Sequence, residues 1–177
     1  MRVVFLSRDL SNSAVVDASG GTLFQITTPG FRKRRTTMSD QRGNAIGIYQ
    51  RRFWQSDKVV FRGQTRRLSE WMPRQRWLSR SSRRLVAPDG RSYTWKKKFW
   101  RNSFQLIDRH TKRVVAKARR KRVNTCGLAV SKRRMVIDVF PDAVHMVDAI
   151  VFSFVLWARL RDQDAARASS MQALAPS

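Results

Sequence analysis

Covalent catalysis needs a nucleophile, a base and a group that orients the base, and this chain offers few candidates for any of them. They are Cys126, His110, His145 and eleven aspartates. Cys126 stands between Thr125 and Gly127 at the edge of a basic run, where nearby cations could lower its thiol pKa. A loop cysteine with no reactive role fits the same position. His110 falls in a predicted hairpin turn. His145 has Asp148 three residues on, close enough on a helix to hydrogen-bond, and the pair is expected to be a polar plug where a helix enters the core. No Gly-x-Ser-x-Gly elbow, His-Glu-x-x-His pair, P-loop or Rossmann glycine pattern occurs. A single cysteine excludes an intrachain disulfide and a cysteine-based zinc site. The expectation is a protein that is not an enzyme and uses neither cofactor nor metal.

Phosphate recognition is better supplied. Lys plus Arg total 37 against 12 Asp plus Glu, a formal net charge of +25, and arginine dominates. Arginine forks bind phosphate oxygens bidentately, so the bias suits a phosphate-bearing partner; compositional bias of the lineage would produce it as well. The cations cluster as Arg32-Lys33-Arg34-Arg35, Lys96-Lys97-Lys98 and Lys117-Ala-Arg119-Arg120-Lys121-Arg122. Aromatics accompany them: Phe31, Phe99, Trp100 and the run Arg51-Arg-Phe-Trp54. Such mixtures insert at lipid interfaces or stack on single-stranded bases, and a solvated strand face with its aromatics turned inward is the plainer alternative. The candidate anion-binding residues are Arg32, Lys33, Arg34 and Arg35 with Lys117, Arg119, Arg120 and Arg122. An anionic membrane surface and nucleic acid both qualify as partners. The expected function is binding of anionic phospholipid headgroups, phosphoinositides first. The alternatives are a sequence-tolerant nucleic-acid binder on the same patches, or a protein-interaction scaffold with no anionic ligand.

These residues need a scaffold, and the most distinctive stretch is Ala143 to Leu160, AVHMVDAIVFSFVLWARL. From Ala149 to Ala158 only Ser153 is polar. A helix apolar all round belongs in a protein core or a bilayer, but the uninterrupted run is roughly half of a membrane span. Asp148 and His145 interrupt it upstream, and Arg159 and Arg161 close it downstream. A buried central helix over about 142–161 is expected, with Val147, Ile150, Val151, Phe154 and Val155 in the core, Asp142 as N-cap, and no integral membrane span. Residues 162–177 are polar and alanine-rich and read as a disordered tail.

Before Pro141 the pattern is short alternating runs broken every eight to twelve residues by turn chemistry, which predicts an all-β sandwich or barrel. Predicted strands are Arg2–Leu6, Ala14–Ala18, Thr22–Thr27, Arg34–Ser39, Ala45–Trp54, Lys58–Phe61, Arg83–Ala87, Arg91–Lys97, Phe104–Ile107, Val114–Arg119 and Met135–Phe140. Leu68–Pro73 reads as a short helical turn, and Arg74–Ser82 as a basic, serine-rich loop. With about twelve strands and one wholly apolar helix, residues 1–161 are expected to form a single domain, a closed antiparallel barrel with the helix filling it. The N-terminal apolar run is too short for a signal peptide, so the expected location is cytoplasmic or nuclear, peripheral at membranes and not secreted. The pattern sets no oligomeric state.

Several stretches carry a resemblance: Leu68-Ser-Glu-Trp-Met-Pro73, Ala87-Pro-Asp-Gly-Arg-Ser-Tyr-Thr-Trp-Lys96, Thr111-Lys-Arg-Val-Val-Ala116, Val139-Phe-Pro141 and His145 to Leu156, with the opening Val3-Val-Phe5. On these the chain resembles a fungal family of unknown function within the tubby-like superfamily, which includes the phospholipid scramblases and the LURP-one-related proteins. The resemblance implies a twelve-stranded barrel around a hydrophobic C-terminal helix. Tubby itself binds phosphoinositides through basic residues on the barrel surface. Scramblases add a calcium-binding segment and a palmitoylated cysteine-rich stretch, and this chain has neither.

Overall fold

The computed structural model of the chain describes residues 1–30, 34–74, 82–98, 103–123 and 133–173. Its strands are β1 (Arg2–Phe5), β2 (Ser13–Asp17), β3 (Thr22–Thr27), β4 (Arg35–Ser39), β5 (Ala45–Gln50), β6 (Lys58–Phe61) and β7 (Gln64–Arg67). A short helix, α1 (Leu68–Trp71), precedes β8 (Arg83–Val86), β9 (Ser92–Lys98), β10 (Ser103–Asp108), β11 (Val114–Arg122) and β12 (Arg133–Val139). The long helix α2 (Val147–Ala173) follows. All twelve strands join one antiparallel sheet in the order β7-β6-β5-β4-β3-β2-β1-β12-β11-β10-β9-β8. The first and last strands pair, Val3 opposite Ile137, so the chain's two halves meet at the sheet centre.

Period-two alternation places the side chains. Val3 and Phe5, Phe24 and Ile26, Leu106, and Met135, Ile137 and Val139 all join the main core. Val4, Val16 and Val136 form a smaller apolar cluster of their own, so β1, β2 and β12 are buried on both sides. The hairpins are fixed by carboxylates that accept from turn amides. Asp17 accepts from the amides of Ser19 and Gly21, Asp40 from those of Arg42 and Asn44, Asp89 from Arg91, and Asp108 from His110. The two-residue turn Arg62-Gly63 has φ of 47° and 76°, the left-handed pair that a tight hairpin requires.

Asp17 is held below the ordinary 3.8 chiefly by the Ser19 hydroxyl, then by the amides. At Asp40 desolvation pushes up, but Asn44 and the turn amides together outweigh it. A carboxylate whose native pKa is depressed contributes its full stabilisation above the unfolded pKa and loses it as pH falls through the native value. The melting temperature should therefore hold from neutrality to about pH 5 and drop below about pH 4. Thermal melts followed by circular dichroism across that range check this.

Helix α2 is the filling of the curled sheet. Ile150, Val151, Phe152, Phe154 and Val155 are buried, and Val147 partly so. Phe154 meets Phe5 of β1, Trp95 of β9 and Phe104 of β10 at centroid distances of 6.3, 5.1 and 5.8 Å. Phe152 stacks on Phe61 of β6 at 5.8 Å. One helix thus touches strands far apart in the sheet order, which requires the sheet to wrap around it. On β5, a Cβ at Gly47 would stand 3.0 Å from the Phe152 ring, so the glycine makes room for the phenyl group. The polar exception, Ser153, accepts from the Trp95 indole at 3.0 Å and donates to the Ile150 carbonyl. By length and hydropathy alone Pro141–Ala166 could cross a membrane, yet 72% of its most apolar window is buried inside the protein.

Several expectations change. Among the described residues hydrogen bonds do not close the sheet: β7 and β8 are its edges, and a single bridge, Arg74 to Arg83, lies beside them. Helix α1 occupies that seam, its Trp71 5.6 Å from both Phe61 and Phe152. The strand expected over Ala45–Trp54 ends at Gln50, because Asp57 and not a strand partner takes the Arg52 amide. Strand β7 had no signal, since all four residues are exposed and none is apolar. Asp142 is not the N-cap: a 3-10 turn over Pro141–Met146 begins after Phe140 without a side-chain cap. The helix itself starts at Val147 and runs to Ala173, well past residue 161, its later turns rich in helix-favouring alanine. Cys126, Trp77 and Leu78 lie outside the described residues.

Candidate anion-binding end of the sheet

In an antiparallel meander the connections alternate between two ends, and here the ends differ in charge. At the end where Met1 lies, the strand termini and turns carry Asp17, Asp40, Asp89, Asp108, Asp138, Asp142 and Asp148. Most serve the fold, as turn carboxylates or in ion pairs. The expected His145–Asp148 pair is not formed. Asp148 is held bidentately by Arg62, at 2.7 and 2.9 Å, while His145 Nε2 stands 3.8 Å from Asp89.

The other end carries Asp9, Asp57, Glu70, Asp162 and Asp164. Asp57 accepts from the Tyr49 hydroxyl at 2.6 Å and from the Arg52 amide. Burial, then that hydrogen bond, raises the Tyr49 pKa. Asp164 pairs with Arg74 and Arg83, Asp162 with Arg161, and Glu70 with Arg67. Arg159 leaves the core there, donating to the Thr36 hydroxyl and lying 5.3 Å over the Tyr49 ring. Its own pKa is lowered, chiefly by burial. Against these acids stand Arg34, Arg35, Arg51, Arg52, Lys58, Arg66, Lys97, Lys98, Arg120, Arg122 and Arg133 among the described residues.

Register builds part of this surface into a groove of ≈ 480 Å³ over β9 to β12, lined by Lys98, Ser103, Gln105, Lys117, Arg119, Arg120 and Arg133. Lys98 lies opposite Ser103, Gln105 opposite Lys117, and Arg122 opposite Arg133. The nearest carboxylate, Asp138, engages Arg2 and Arg119 at 2.7 and 3.1 Å, with Lys121 at 3.9 Å. Burial opposes its charge, but those arginines hold its pKa below the ordinary value. Arg119 is thereby partly neutralised. Lys98, Lys117, Arg120, Arg122 and Arg133 are exposed and form no ion pair among the described residues. Lys117 rests its ammonium 5.4 Å over the Phe140 ring.

The second expected cluster is elsewhere. Arg32 and Lys33 lie outside the described residues. Arg34 and Arg35 precede or open β4, five strand positions from β11, roughly 24 Å along the sheet. The two clusters do not share a pocket, and they share an end only in part: Lys117 stands opposite Asp138 with its ammonium over Phe140, toward the Met1 end, while Arg120 and Arg122 continue to the other end. Alternation also splits the β11 run: Lys117 and Arg119 project to one side, while Arg120 continues the phase of buried Ala116 and Ala118 at the rim. Lys98 and Arg133 were missed as groove residues because only cross-strand register joins them to the β11 run, Arg133 opposite Arg122 and Lys98 opposite Ser103 of the neighbouring β10. Among the described residues no group of three His, Cys, Asp or Glu could hold a metal ion.

A model of a family described as a family of unknown function (DUF6593) matches residues 8–163. An X-ray structure of a protein from Arabidopsis thaliana is similar with a TM-score of 0.56 and 14% identity, covering 90% of each chain. At that identity the likeness speaks for the fold alone. No curated protein matches the chain.

Proposed function

The chain belongs to DUF6593, a family of unknown function, and on that premise we propose that it is a non-enzymatic binding domain that recognises anionic phospholipid headgroups, phosphoinositides above all. The observation that carries this reading is the groove in which Lys98, Lys117, Arg120 and Arg133 stand exposed without carboxylate partners among the described residues. Unpaired cations on rigid strands are pre-organised for phosphate oxygens, and each basic group near an anionic surface contributes about 1 kcal/mol. Segregation of charge to one end supports an oriented approach, with that end toward the bilayer. We further propose that the sheet is a barrel of the tubby-like kind, sealed along the β7–β8 seam by α1 and side chains in place of a hydrogen-bonded ladder. Twelve strands around an apolar C-terminal helix support that assignment. The working location is the cytoplasmic or nuclear side, peripheral at membranes.

Co-sedimentation with vesicles tests the function. Vesicles containing phosphoinositide and vesicles containing phosphatidylserine at matched charge should both bind the protein, the phosphoinositide more tightly, and excess RNA should not release it. Release by RNA, with no preference between lipids, would replace this reading with a sequence-tolerant nucleic-acid binder, whose affinity falls steeply with salt.

A further inference from the structure

The β5–β6 connection, 51–57, carries two adjacent aromatic side chains that the fold does not use. Phe53 is 73% exposed and Trp54 97% exposed. Every other described aromatic is buried except Phe140, at 37% beneath Lys117. The connection is nevertheless firmly seated. Asp57 closes its base by accepting from the Tyr49 hydroxyl and the Arg52 amide, its carbonyl accepts from the Leu68 amide at 2.8 Å, and the Arg52 guanidinium donates to the Gln55 side chain. A seated loop that holds a phenyl and an indole in water gains little burial from them.

Charge surrounds the tip. The Arg34 guanidinium lies 4.4 Å over the Phe53 ring, and Arg51 and Arg52 are adjacent in the chain. The register places the connection at the same end as the basic groove, since Gln50 pairs with Lys58 while Lys98 pairs with Ser103. Aromatic rings settle at the headgroup level of a bilayer, with their apolar bodies inward. Arginines beside them then meet the phosphate layer, where bidentate contacts form.

We infer that the Phe53–Trp54 tip is a shallow membrane anchor, which enters the headgroup–acyl boundary of an anionic bilayer while Arg34, Arg51 and Arg52 engage lipid phosphates. This rests on the membrane reading of the basic end and adds to it a second point of contact and an orientation. A protein-binding tip would face a partner of matched shape; the ring of guanidinium groups matches an anionic surface instead.

The test compares the wild-type chain with Phe53→Ser/Trp54→Ser on phosphatidylcholine vesicles containing phosphatidylserine, and reads Trp54 emission as the difference between wild type and Trp54→Phe. Both aromatics are exposed, so the double variant should keep the wild-type melting temperature. We expect it to bind at least about tenfold more weakly, and Trp54 emission to shift to the blue and be quenched by lipids brominated high on the acyl chain. Equal binding by wild type and double variant, with Trp54 unquenched, would overturn the anchor and leave the membrane reading standing. No binding of wild type to the vesicles would overturn both. Quenching of Trp54 by single-stranded oligothymidine but not by brominated lipid would make the tip a base-stacking platform and overturn the anchor.

Discussion

An Ile150→Asp chain is expected not to fold. Ile150 is fully buried in the first turn of α2, in a core shared with both flanks of the sheet. An aspartate there would either hold an unpaired charge in an apolar interior or take up a proton to avoid it, and either course costs several kcal/mol. A small domain has only about 5–15 kcal/mol of net stability, so the native state should lose most or all of its margin. Far-UV circular dichroism and a thermal melt read the result directly: no cooperative transition, or one lowered by tens of degrees. Ile150→Val removes one methylene at the same position and should cost about 0.5–1.5 kcal/mol, which separates the effect of charge from that of volume. If Ile150→Asp melted like wild type, α2 would not be the centre of the fold. A bilayer would then be the natural destination of the Pro141–Ala166 stretch.

That helix was legible because ten residues with one hydroxyl leave no face for water. The strands with an apolar inward face were equally plain: Thr22–Thr27 and Lys58–Phe61 have the bounds that alternation implies. Strand β7 was invisible, because an exposed edge is protected by charge and Gln-Thr-Arg-Arg has nothing to bury. At Phe53 and Trp54 the sequence left an inward place and an exposed one both open, and their place is outside. The His145–Asp148 spacing is correct for a helical pair, yet Arg62 takes the carboxylate from 86 residues away in sequence. No local pattern holds that information. The candidate groove was half legible. The Lys117-to-Arg122 run announces itself, whereas Lys98 and Arg133 join it only through register. The segregation of charge between the two ends could be seen only once the strand order had decided which turns face the same way.

Replacing Lys98, Lys117, Arg120 and Arg133 together by glutamine should weaken vesicle binding by about three orders of magnitude. At about 1 kcal/mol for each basic group at an anionic surface, four losses sum to roughly 4 kcal/mol, and each 1.4 kcal/mol is a tenfold change. Arg119 is left in place because Asp138 already engages it at 3.1 Å. The decisive comparison is a second variant in which Arg91, Arg109, Lys112 and Arg113 become glutamine. These four are also exposed and change the net charge equally, but they lie in the turns of the opposite end. Binding by an oriented end predicts that this variant keeps wild-type affinity within a few-fold, because screening over about 8–10 Å at ordinary salt shields charges on the far side. Equal losses in the two variants would mean that net charge alone brings the protein to the membrane, and the groove would be no site at all. Both variants should melt with wild type, since none of the eight side chains is buried, so a difference in vesicle binding reports the surface and not the fold.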